Sequence, residues 1–144
     1  MIFICFEGVD GSGKTTLAHG LERRLFDMGR ISTVLDGKAM RLGISKGLPH
    51  DQEGRAENLR RSANVARLLN ESGLICCASF VAPNKDSREH AQAVIGKEHC
   101  LIIYLNPALE ACRQRDPSGL YAAAELSGSA DLPGVSFPYD EPEN

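Results

Sequence analysis

The chain has 144 residues, 42% of them hydrophobic, and a formal net charge of −3. These values predict one globular domain and argue against disordered, fibrous and strongly basic nucleic-acid-binding classes. No apolar run approaches the length of a membrane span, so no membrane partner is expected. The five cysteines lie in or beside apolar segments without metal-ligand spacing. They read as small buried hydrophobes in a reducing, cytoplasmic compartment.

Met1 leads straight into an apolar run at residues 2–6, the pattern of a parallel strand covered on both faces, with no targeting segment before it. Gly8-Val9-Asp10-Gly11-Ser12-Gly13-Lys14-Thr15 follows, and helical spacing resumes over 14–28, ending at Gly29. The spacing G-x4-G-K-T between a strand and a helix is that of a phosphate-binding loop. Glycines let successive N–H groups turn toward one anion, Lys14 reaches the terminal phosphates, and the Thr15 hydroxyl supplies a magnesium ligand. The helix N-terminus adds positive potential at the same point. A chance glycine-rich turn explains the loop less well, because both required flanks are present.

Residues 31–35 form a second strand closing on Asp36-Gly37, and 38–50 read as a loop or short helix. Asp51 caps a helix that runs to Gly73. Residues 74–81 form a third strand, stopped by Ala82-Pro83-Asn84, and 86–95 a short helix. Residues 100–105 form a fourth strand, followed by a helix over 107–114. Cys76 and Cys77 are expected on opposite faces of their strand. This alternation predicts an α/β fold, a parallel sheet with helices on both faces. From Asp116 onward the pattern dissolves into small residues, glycines and prolines, and 138–144 is an acidic tail. No internal repeat or second domain is visible.

Ligands of open α/β sheets bind beyond the carboxyl ends of the strands. Asp36 ends the second strand, where a carboxylate binds magnesium or takes a proton from an attacking hydroxyl, although Asp is also a common turn residue. Arg41, Arg55, Asn58, Arg60 and Arg61 form a second group. Cations at the start of a helix oppose its dipole, so they suggest an anionic ligand, with solvated arginines as the equal alternative. Arg113, Gln114 and Arg115 lie where the base of a nucleotide would sit, or else neutralise a helix C-terminus. The four histidines lack metal-ligand spacing; only His50 neighbours other candidates.

Together these residues resemble the adenylylsulfate kinase family, which uses ATP to phosphorylate the 3′-hydroxyl of adenosine 5′-phosphosulfate. The resemblance rests on Leu35-Asp36-Gly37 with Arg41 and Gly43, Arg55-Ala56-Glu57-Asn58 with Arg60-Arg61, and Pro83 with Arg88. It continues through Gln114-Arg115-Asp116-Pro117, Gly119-Leu120-Tyr121, Pro138-Tyr139 and Pro142-Glu143-Asn144, so it spans nearly the whole chain as one domain, 1–144. It implies a phosphate-loop kinase in which Gly8, Asp10, Gly11, Ser12, Gly13, Lys14, Thr15 and Thr16 hold ATP. Lys14 and Asp36 would be catalytic, and Thr15 and Asp36 would hold Mg2+. Arg41, His50, Arg55, Asn58, Val81 and Leu132, with Asp36, would surround the sulfated nucleotide, and Cys112 and Arg115 would approach the ATP adenine. A homodimer, and fusion to or association with a sulfate adenylyltransferase, are implied as partners.

The sequence also departs from that family. Lys38 stands where a second aspartate is usual, and His50 and Leu132 stand where two phenylalanines stack on the substrate adenine. Ala82 replaces a serine discussed as a phosphorylated intermediate. The lid, 116–134, carries Ser118, Ala122, Ala123, Glu125 and Ala130 at positions usually basic, and the family's last strand and helix are not seen after the tail, 135–144. Two alternatives stay open: a regulatory nucleotide-binding domain, and a kinase for another nucleotide. The loop Glu7 to Thr16 looks like that of a thymidylate kinase, but Ala78-Ser79-Phe80 stands where that family has Asp-Arg.

Overall fold

The computed structural model describes residues 1–116, 119–127 and 132–143. Its strands are β1 (Phe3–Glu7), β2 (Ser32–Asp36), β3 (Ile75–Phe80) and β4 (Cys100–Tyr104), and its helices are α1 (Lys14–Asp27), α2 (Gly37–Leu42), α3 (Gln52–Glu71), α4 (Lys85–Ile95), α5 (Leu109–Arg115) and α6 (Leu120–Ser127). The strands form one parallel sheet of order β2-β3-β1-β4. The two central strands, β3 and β1, are the most buried, as cover on both faces requires.

One face is covered by α1, whose Ala18, Leu21 and Leu25 pack with Phe6, Val34, Cys77 and Ile103. The other is covered by α3 and α4, where Leu59, Ala63, Ala66, Ala91 and Ile95 meet Phe3, Cys5, Cys76 and Ala78. Cys76 and Cys77 therefore do point to opposite faces. Small residues at Ala63, Ala66 and Ala91 let α3 and α4 sit close to the sheet.

Strand register fixes where chemistry collects. Phe6 of β1 pairs with Ser79, and Ser79 pairs with Asp36 of β2. The carboxyl ends of β2, β3 and β1 thus lie side by side, with α1 starting just beyond β1.

Two sequence expectations are corrected. Residues after Asp116 do not all dissolve into loop: α6 forms there, because Leu120 to Leu126 is rich in alanine and leucine, the strongest helix formers. Asp116 caps it, its two carboxylate oxygens accepting from the Tyr121 and Ala122 N–H groups at 3.2 and 3.1 Å. Second, α3 begins at Gln52 with Glu53 in its first turn, so Arg60 and Arg61 lie beyond that turn, while Arg55, the fourth residue, closes it. Within the proposed lid and tail, Pro117, Ser118, Ala130 and Asn144 lie outside the described residues.

Candidate active site

The loop between β1 and α1 bends tightly against its surroundings. At Gly8, φ is 151° and an added Cβ would stand 2.6 Å from the Leu105 carbonyl oxygen; at Gly11, φ is 77° and a Cβ would meet the Cys112 carbonyl oxygen at 2.8 Å. Both positions exclude side chains for reasons of space as well as dihedral. Lys14 curls back over the loop. Its Nζ donates to the Val9 carbonyl at 2.6 Å and to Ser12 Oγ at 3.3 Å. Burial pulls its pKa below the usual lysine range, opposed by the neighbouring carboxylates of Asp10 and Glu7.

Thr15, the second residue of α1, meets the strand ends. Its hydroxyl donates to Asp36 Oδ2 at 2.8 Å and lies 2.9 Å from Ser79 Oγ. Asp36 makes two sets of contacts, one within the turn and one to the loop helix. Its Oδ1 caps α2 by accepting from Lys38 N–H at 2.7 Å and from Ala39 N–H at 3.4 Å, while Oδ2 faces Thr15.

One cavity of about 610 Å³ joins the candidates. At one end it is lined by Asp10, Gly11, Gly13, Lys14, Thr15 and Thr16. Asp36, Ser79 and Lys38 lie between. The far wall has Arg41, His50, Arg55, Asn58, Phe80, Val81 and Leu132, with Arg115 and Leu120 at the rim. Arg41 donates to the Leu48 and Pro49 carbonyls at 2.7 and 3.0 Å, and Arg55 Nε donates to the His50 carbonyl at 2.8 Å. Both guanidiniums are thereby fixed on the α2–α3 connection while facing the cavity. Arg55 also lies 4.0 Å from Asp10 Oδ2, a buried oxygen with no hydrogen-bond partner among the described residues. Asn58, 5% exposed, donates to the Gly37 carbonyl at 3.3 Å.

Three expected residues do not line the cavity. Gly8 and Ser12 support the loop from beneath. The Cys112 side chain is fully buried with Tyr121 and Leu132, and burial raises its thiol pKa; only its backbone abuts the loop, at Gly11. Arg60 and Arg61 are also excluded, since both are held by Glu57 at 2.7 Å.

Sequence reasoning missed Ser79, Phe80 and Leu120. The first two close β3, and the rule about strand ends that selected Asp36 would have selected them too. It also missed a buried cluster under the loop. Glu7, 2% exposed, is approached by Tyr139 Oη at 3.4 Å and Cys5 Sγ at 3.5 Å. Burial lifts its carboxyl to about 7, against the pull of Arg88. Tyr139 stacks on Tyr104 with centroids 6.0 Å apart and lies under Arg88. Its segment is strapped down by Asp140, whose N–H donates to the Pro83 carbonyl at 2.8 Å. Tyr121 reaches the loop from the other side, its hydroxyl donating to the Asp10 carbonyl at 2.7 Å. No local sequence signal marks contacts spanning more than a hundred residues.

A glycine loop opening the first helix of a parallel sheet, with an aspartate on a nearby strand and a cavity joining them, defines a phosphate-loop kinase fold. Over residues 1–144 the chain matches the family model described as adenylylsulphate kinase. It is 41% identical over 143 residues to an adenylyl-sulfate kinase of Clostridium kluyveri, covering 99% of this chain and 71% of that one. It is 43% identical over 141 residues to the bifunctional enzyme CysN/CysC of Rhodopirellula baltica, covering 98% of this chain but only 22% of that relative. Among solved structures it superposes, with TM-score 0.94 and 34% identity, on the Mycobacterium tuberculosis APS kinase CysC in complex with AMPPNP and APS, covering 99% of this chain and 84% of that one. The chain belongs to the adenylylsulphate kinase family. Among the described residues no helix is long and apolar enough to cross a membrane, and no cluster of three or more His, Cys, Asp or Glu side chains forms a metal cage.

Proposed function

We propose that this protein phosphorylates the 3′-hydroxyl of adenosine 5′-phosphosulfate at the expense of ATP, yielding 3′-phosphoadenylylsulfate. The observation that carries the reading is one cavity with a phosphate loop at one end, two anchored arginines and an asparagine at the other, and Asp36 between them. ATP lies with its phosphates on the loop amides from Asp10 to Thr16. Lys14 exchanges its internal bonds to Val9 and Ser12 for the terminal phosphate oxygens and stabilises charge on the transferring group. Arg41, Arg55 and Asn58 take the phosphosulfate-bearing acceptor, and His50, Val81 and Leu132 contact its nucleoside. Arg115, at the rim, takes the ATP base.

Asp36, the carboxylate nearest Thr15, orients the acceptor hydroxyl or accepts its proton. The Thr15 hydroxyl and Asp36 also fit Mg2+, which prefers one or two carboxylates completed by phosphates and water to an all-protein cage. Held by Thr15 and Asp36, such an ion would supply positive charge to neutralise the phosphates. Ala82 leaves direct in-line transfer as the route. The five cysteines, all free, support a reducing cytoplasmic setting, and a relative carrying this segment within a bifunctional enzyme supports association with a second sulfate-activating activity.

The test is incubation with ATP, Mg2+ and adenosine 5′-phosphosulfate, with dTMP as the parallel acceptor. Product on the sulfated nucleotide alone is expected. ATP binding without product would place the chain among nucleotide-binding regulators, and transfer to dTMP would reassign the acceptor.

A further inference from the structure

Ser79 is assigned no role by the loop motif, yet it occupies a constrained place. It is 4% exposed, lines the cavity, and is the penultimate residue of the central strand β3. Its register partners are Asp36 on one side and Phe6, two residues before the loop, on the other. Its Oγ lies 2.9 Å from Thr15 Oγ1, and that oxygen lies 2.8 Å from Asp36 Oδ2.

The direction of these bonds follows from counting protons. A hydroxyl has one proton and two lone pairs, whereas a carboxylate only accepts. Thr15 must therefore spend its proton on Asp36, and the proton between Thr15 and Ser79 must come from Ser79. The relay runs Ser79 to Thr15 to Asp36. It consumes the proton and one lone pair of Thr15 Oγ1 and leaves a single lone pair. Pinned from β3 and β2 at once, the Thr15 hydroxyl cannot rotate without losing a bond.

We propose that Ser79 is a positioning residue for the divalent cation: by donating to Thr15 it fixes that hydroxyl with one lone pair reserved for metal. This inference rests on the reading that Thr15 and Asp36 hold Mg2+. On this assignment Ser79 acts through Thr15 and is not itself a ligand of the cation. Its effect should therefore appear in the metal-dependent part of nucleotide binding and not in the metal-free part.

The experiment is calorimetric titration of a non-hydrolysable ATP analogue into the whole chain, with and without Mg2+. In the unmodified protein, Mg2+ should tighten binding. Ser79→Ala should reduce that gain about fivefold, the effect of one net neutral hydrogen bond, with metal-free affinity unchanged. Ser79→Thr, which keeps the hydroxyl, should restore the gain. Ser79→Cys, close in size and a weak donor, reads the same quantity if the alanine variant does not fold. An unchanged gain in a folded alanine or cysteine variant, or equal losses with and without Mg2+, would overturn the assignment and leave Ser79 as filler. Absence of any Mg2+ gain in the unmodified protein would overturn the cation site itself, and the role of Ser79 with it.

Discussion

The two ends of the cavity are built differently. At the loop end the ligand-facing groups are backbone amides and short side chains tied to one another: Lys14 to Val9 and Ser12, Thr15 to Asp36 and Ser79, with Tyr121 holding Asp10. At the far wall the candidates are long side chains from separate elements, anchored on carbonyls of the α2–α3 connection, beside an exposed His50. At the loop end a substitution at Lys14 or Ser12 therefore strands a buried partner, while the Thr15–Asp36 bond is exposed. The far wall mixes exposed His50 with buried Asn58, Phe80 and Leu132, so only its exposed positions can be varied without disturbing the fold.

The largest expected effect breaks the loop end directly. Lys14→Ala should lower kcat/KM about 10³-fold, the scale of removing a donor from a preorganised anion site, and should weaken ATP in direct binding measurements. Next comes the cluster beneath the loop. Burial raises the Glu7 carboxyl from 4.5 to about 7, so the folded chain binds more protons than the unfolded chain across that window. The resulting stability is complete below about pH 4.5 and is lost as pH rises through about 7, a swing of roughly 3 kcal/mol. Glu7→Gln should flatten the dependence of the denaturant midpoint between those limits; an equally steep profile in the variant would assign the slope to another group.

Asp36 sharpens the comparison, because one carboxylate caps α2 and is also the proposed partner of the acceptor hydroxyl. Asp36→Asn retains a helix cap and should lower kcat about 10²-fold with little change in Tm. Asp36→Ala should lose activity similarly and about 1 kcal/mol of stability besides. The smallest effect belongs to the far wall. His50→Phe should lower KM for the sulfated nucleotide about fivefold, near the lower end of what stacking on a base provides, with kcat and Tm unchanged. A rise in KM would remove His50 from the nucleoside contact.

The same contrast decides what the sequence discloses. The loop is legible because its function is local: eight consecutive residues and their flanks carry geometry and chemistry together. Asp36 is legible from the rule about strand ends. Arg41, Arg55 and Asn58 are separated by a turn, a helix and a connection, and only the family resemblance selects them from other cations; Arg60 and Arg61, in the same motif, turn out to be held by Glu57. Ser79 hides in an apolar strand, where a lone serine looks like a neutral filler. The Tyr139–Glu7 contact joins residues 132 apart and leaves no trace in periodicity. Helix α6 escapes because its short alanine-rich run is flanked by glycines and prolines that mask its helix propensity.

The placement of the aromatic rings has a practical consequence. The chain has three tyrosines and no tryptophan, and all three gather about the phosphate loop: Tyr121 on Asp10, Tyr139 on Glu7, and Tyr104 stacked on Tyr139. Its tyrosine emission therefore originates beside the loop, with no tryptophan elsewhere to dilute it.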